Sequence, residues 1–147
     1  MKFSKYWAPV YLLILFIYTV SSLPVEVPTG EAFWPFTFME NIYVFMLFKK
    51  LTHVGEYGLL YLLLVRAFKN ASSIGQSKYF ILSLLLVGLT GFGDEYHQAF
   101  IPGGGLPHIH DVVIDLFGAL AAYIFIWKLL PRMPMKLRSL AKILELN

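Results

Sequence analysis

The chain has 147 residues, room for one domain, with 12 basic against 9 acidic side chains and a net charge of +3. Hydrophobic residues make up 58% and charged residues 14%, where a soluble domain averages about 25% charged. With a mean hydropathy of +0.66, this excludes a soluble enzyme and a disordered tail and leaves an all-α helical membrane protein. The absence of cysteine removes disulfides, thiolate metal sites and thiol nucleophiles.

A spanning helix needs roughly 20 mostly apolar residues. Four stretches qualify: about 7–23, 51–68, 79–98 and 111–130. Pro24 and Pro28 close the first, and Pro131 and Pro134 close the last. No internal repeat interrupts the chain, so residues 1–147 read as a single transmembrane domain. Lys2 and Lys5 also resemble the start of a signal peptide with Ser21-Ser22 at the cleavage point. The apolar run is long for that, carries Trp and Tyr, and its removal would leave an odd number of spans.

Orientation follows from the basic residues in short loops. Lys2, Lys5, Arg66, Lys69, Lys78, Lys128, Arg132, Lys136, Arg138 and Lys142 fall on one side, which is expected to be cytoplasmic. Lys49 and Lys50 fall on the other, with Glu26, Glu31, Glu40, Glu56, Asp94, Glu95, Asp111 and Asp115. Both termini are therefore expected in the cytoplasm. This asymmetry accounts for the basic pI, so nucleic acid is not a partner.

Between spans one and two, Phe33, Trp34, Phe36, Phe38, Tyr43, Phe45 and Phe48 predict an aromatic segment in the outer interface. The tail 131–147 spaces Leu137, Leu140, Ile143 and Leu144 at helical intervals among Lys136, Arg138 and Lys142. That pattern predicts a basic amphipathic segment at a lipid surface.

The chemistry concentrates at the outer ends of three spans. Lys49 or Lys50, His53, Glu56 and Tyr57 recur at three- and four-residue intervals and share a face. Asp94, His97 and Gln98 share another, with Glu95 rotated by about 100°. Asp111, Asp115 and Gly118 follow at i, i+4 and i+7, next to His108 and His110, and Gly118 with its neighbouring alanines admits a close helix. Any one of these residues reads equally well as helix glue, with Asp111 as a cap. Two lysines, five carboxylates and four histidines together exceed what glue needs. An ionisable group such as Glu56, about ten residues from Arg66, costs at least a few kcal/mol in a bilayer unless it faces the bundle interior.

At these residues the sequence resembles the VanZ-like family of bacterial membrane proteins. Lys50-Leu-Thr-His53-Val-Gly-Glu56-Tyr57 is similar to the family's Lys-x-x-His-Phe-x-Glu-Tyr start of the second span. Asp94-Glu95-Tyr-His97-Gln98-Ala-Phe100-Ile-Pro102-Gly103 is similar to its Asp-Glu-x-His-Gln-x-Phe-x-Pro-Gly signature, and Asp111-Val-Val-Ile-Asp115-Leu-Phe-Gly118 to the start of its last span. Gly104 stands where the family usually places Arg, which removes a bidentate anion clamp. His108 and His110 lie outside the pattern. The resemblance implies a protein of the bacterial plasma membrane and cell envelope, in a family whose founding member is linked to resistance to the glycopeptide teicoplanin.

Four functions compete. In the first, an outward-facing acidic cavity binds or processes a lipid-linked envelope molecule, or a glycopeptide-related ligand, among membrane lipids. Glu56 is then the acid, Asp94 the base or nucleophile, and His53 the relay. Lys50 holds an anionic headgroup, and Tyr57, Glu95, His97, Gln98, Asp111 and Asp115 complete the binding surface. In the second, His53, His97 and His110 with neighbouring carboxylates hold a divalent metal. The third is a small proton-coupled transporter, which with four spans would need to oligomerise. The fourth is a non-catalytic scaffold of an envelope complex.

Overall fold

A computed structural model describes residues 2–23, 42–101, 106–135, 138, 139 and 145. The expectations for Pro24, Pro28, Glu26, Glu31, Glu40, Phe33, Trp34, Phe36 and Phe38 lie outside these residues. So do those for Pro102 to Gly105 and for the tail's Lys136, Leu137, Leu140, Lys142, Ile143 and Leu144.

Four helices form: α1 (Lys2–Ser21), α2 (Ile42–Ala71), α3 (Gln76–Gln98) and α4 (Ile109–Ile124). The last runs on through a π-helical turn at Phe125–Leu129 and a 3-10 turn at Leu130–Arg132 that holds Pro131. Starting at Lys2, α1 tolerates Pro9 in its interior, where the ring removes one intrahelical hydrogen bond. Gly75 ends the α2–α3 turn in extended conformation, and its carbonyl accepts from the N–H groups of Lys78 and Tyr79.

The helix that carries the second span extends beyond it: α2 is continuous from Ile42 for 30 residues, roughly 45 Å at about 1.5 Å per residue. Tyr43, Phe45 and Phe48 are therefore helical. No Gly or Pro interrupts residues 42–54, so once one turn of α2 is packed, extension is favourable.

Helix α2 packs against α1, α3 and α4, and the core follows it: Tyr57, Leu60, Leu64 and Val65 are fully buried, with Val10 and Ile17 of α1, Val87 of α3 and Ala119 of α4. The exterior is as apolar as the core. Leu12 and Leu15, Leu59, Ile81 and Leu85, and Val113 and Phe117 all face outward on successive helices. Helices apolar on all sides are found where the surroundings are apolar too. Two stretches, Phe3–Ser21 and Ile109–Arg132, are long and apolar enough to cross a membrane.

The closest crossing joins α2 to α4. A Cβ on Gly118 would collide with the backbone of Val54, and one on Gly58 would lie 3.1 Å from the Gly118 carbonyl oxygen. The two glycines face each other, so the helix backbones meet directly.

The chain's ends gather at the opposite pole. Glu145 accepts from Lys5 at 2.9 Å and from Arg66 at 3.0 Å, and the Arg66 guanidinium lies over the Tyr6 ring. The hydrogen bond from Lys5, reinforced by both positive charges, holds the Glu145 carboxyl below the ordinary carboxylate range.

Two predictions follow. Gly118→Leu is expected to destabilise the bundle by at least the ~1–3 kcal/mol typical of overpacking, measured as a lower thermal transition in detergent. A depressed carboxyl keeps its contact above the ordinary pKa and loses it as pH falls through the lowered one. A carbon-13 titration should therefore place Glu145 below an ordinary glutamate, and Lys5→Met should bring it back up.

Candidate functional site

The end of the bundle away from Lys5 and Arg66 carries the acidic stripe, and tertiary packing divides it into separate environments. A cavity of about 290 Å³ lies between α1, α2 and α3. Its polar lining residues are Ser21, Lys49, Thr52, His53, Glu56, Asp94 and Gln98, and its apolar ones are Ile17, Val20, Phe45 and Phe48. A crevice of about 40 Å³ lies between α2 and α4, lined by Lys49, Lys50, His53 and Asp111 among others. His53 borders both.

Asp94 is 1% exposed, at the centre of the cavity wall. The Ser21 hydroxyl donates to its Oδ1 at 2.5 Å, and Gln98 Nε2 donates to Oδ2 at 2.8 Å. The second bond is the i, i+4 geometry of α3; the first crosses from the last residue of α1. Hydrogen bonds to a charged acceptor contribute about 1.5–3 kcal/mol each. Ser21 is thus a site residue that sequence reasoning assigned only to a cleavage point. Its sole sequence signal is its place at the end of an apolar run.

His53 Nδ1 stands 3.1 Å from Asp115 Oδ1. Asp115 is 1% exposed and sits over Gly91 of α3, where an added Cβ would lie 2.6 Å from its Oδ2. Gly91 therefore makes room for the carboxylate that orients the imidazole. With Nδ1 turned to Asp115, Nε2 is the ring atom left for a ligand. Glu56, one turn deeper than His53, lines the cavity and makes no hydrogen bond among the described residues. Lys50 Nζ donates to Asp111 Oδ1 at 2.7 Å across the crevice.

The structure thus brings His53, Glu56, Asp94 and Gln98 together in the cavity, with Asp115 behind them and Lys50 and Asp111 alongside. It places the others elsewhere. Tyr57 is fully buried and lines neither opening, with its hydroxyl unpartnered. Glu95 faces the start of α4, where its Oε2 accepts from the His108 N–H at 2.9 Å. His97 does not share the cavity with Asp94; its ring packs 5.5 Å from that of Tyr18, on the α1 side of α3. The 100° per residue of a helix puts i and i+3 some 60° apart, enough to separate them here. The three proposed metal ligands do not converge, since His53 is on Asp115, His97 is on Tyr18, and His110 Nε2 is 3.6 Å from Asp111.

The two blocks thus come together on facing helices, and residues 8–131 match the family model described as VanZ/LLP1. The chain belongs to the VanZ/LLP1 family. No curated protein and no solved structure matches it. Within this VanZ-like chain, the His53/Glu56 and Asp94/Gln98 blocks line one cavity. The third block, Asp111 to Gly118, serves from behind: Asp115 orients His53, and Gly118 lets α4 approach α2. Family membership and two helices of spanning length are in keeping with a membrane protein.

Gly91→Ala should push Asp115 away from His53. Nitrogen-15 spectra are expected to show a proton on His53 Nδ1 in the parent chain and loss of that fixed state in the variant. An unchanged His53 spectrum would contradict the pairing.

Proposed function

We propose that this VanZ-like protein crosses the bacterial plasma membrane four times with both termini in the cytoplasm. Its outward-facing acidic cavity binds or processes a lipid-linked envelope molecule, and in this way it affects glycopeptide susceptibility. Support for the orientation is the basic bias of one pole, where Lys5 and Arg66 meet Glu145, against the acidic stripe of the other.

The observation that carries the reading is the mixed lining of the cavity. Phe45, Phe48, Ile17 and Val20 suit an alkyl chain; a lysine, an imidazole and two carboxylates suit a headgroup. Drug-sized ligands occupy about 300–1,000 Å³. At about 290 Å³ the cavity admits a headgroup and the start of a chain. That size favours the lipid-linked molecule over the far larger antibiotic as the occupant.

The chemistry available is acid–base. Asp94 is held in place by two donors. Glu56, which makes no hydrogen bond among the described residues, is the carboxylate open to an occupant. His53 is oriented by Asp115 to pass a proton on. A route for protons across the whole bundle has no such support. Below Glu56 the buried side chains of α2 are Tyr57, Leu60, Tyr61, Leu64 and Val65, with no carboxylate or histidine before Arg66.

Native mass spectrometry of the protein extracted with its own lipids is expected to show a retained polyprenyl or glycerophospholipid species. Lys49→Met should reduce the retained fraction. Glu56→Gln should keep the lipid and abolish protection in a teicoplanin-susceptibility assay of a complemented deletion strain. A bare parent chain, with full protection by Glu56→Gln and Asp94→Asn, would reject the cavity reading and favour a scaffold.

A further inference from the structure

The junction of α3 and α4 holds a second cluster, outside the cavity. One ligand atom each from Glu95, His108 and Asp111 lies within 4.8 Å of the others. Donors bound to one tetrahedral ion at about 2.0–2.1 Å stand roughly 3.3–3.4 Å apart, so inward movements of about 1 Å or less bring these three onto a common cation. His110 stands beside this group without being part of it: its Nε2 is 3.6 Å from Asp111 Oδ1, and its ring centroid is 5.3 Å from that of His108.

Glu95 supplies an independent reason to expect an occupant. It is 6% exposed and has one donor among the described residues, the His108 backbone N–H at 2.9 Å. An ionised carboxylate offers about four acceptor sites, and burying its charge without a cation is costly. The other buried carboxylates are better served: Asp94 has two side-chain donors, and Asp115 has His53. The Glu95 carboxylate lies beside His108 and Asp111. The His108 imidazole makes no side-chain hydrogen bond at the start of α4, so it is not consumed as a cap.

We infer that Glu95, His108 and Asp111 bind a divalent transition-metal cation of the zinc or manganese class. Mixed imidazole and carboxylate donors suit that class. Two carboxylates offset the ion's charge in spite of Lys50 on Asp111 and the positive end of α4. The ion ties the end of α3 to the start of α4 across the connection that begins at Ala99. This ligand set differs from His53, His97 and His110, and it does not depend on what fills the cavity.

The test is titration of the full-length, chelator-stripped protein in detergent with Co²⁺, a spectroscopic stand-in for Zn²⁺. One equivalent is expected to produce ligand-field absorption bands, which Zn²⁺ then removes. His108→Ala and Glu95→Gln should each weaken binding by at least ~tenfold, as loss of even a supporting group does at metal sites. Glu95→Gln keeps an acceptor for the His108 N–H, and an unchanged thermal transition would show that it folds. Lys50→Met, which frees Asp111, should tighten binding, and His97→Ala should leave it unchanged. Absence of bands would overturn the inference. So would bands that survive both His108→Ala and Glu95→Gln, or that vanish with His53→Ala instead, placing the ion in the cavity.

Discussion

The site rests on the contact between α2 and α4 at Gly58, Gly118 and Val54. Because neither glycine has a side chain, the backbones approach until the Val54 main chain meets Gly118. That closeness lets Asp115, one turn before Gly118, reach His53, one residue before Val54. Close packing of small residues and a buried polar pair hold the two helices together there. The same contact therefore holds the fold and aims the imidazole.

Around that contact the carboxylates are kept apart in function by having different partners. Asp94 answers to Ser21 and Gln98, Asp115 to His53, Asp111 to Lys50 and Glu95 to a backbone N–H. Glu56 alone among the five makes no hydrogen bond to a described residue. Several negative charges so close in a low-dielectric setting repel strongly unless each is compensated. The distribution of partners leaves Glu56 as the carboxylate open to a ligand in the cavity. Helix α1 contributes more than an anchor, because its final turn provides the hydroxyl on Asp94 and its Ile17 and Val20 line the cavity.

Four helical segments, their order and the gathering of ionisable groups at one end were all legible in the residues. Those features depend on local periodicity, proline positions and hydropathy along a single chain. The family resemblance was legible too, from blocks around His53, Asp94 and Asp111, and the match over residues 8–131 bears it out. The start of α2 was not legible. An aromatic stretch such as Tyr43 to Phe48 satisfies both an interfacial segment and a helix, and only packing distinguishes them.

By itself the sequence determined how many helices form, which end carries the charge, and which residues are near neighbours along each helix, as with Asp94 and Gln98. Tertiary structure alone decided who faces whom. It put Ser21 on Asp94, turned His97 toward Tyr18, hid Tyr57 in the core, and set Glu95 beside His108 and Asp111 rather than in the cavity. Helical spacing specifies angles around one axis, but the rotation of each helix against its neighbours is set by where backbones touch. Here that is governed by glycines at Gly58, Gly91 and Gly118, whose meaning depends on what stands opposite.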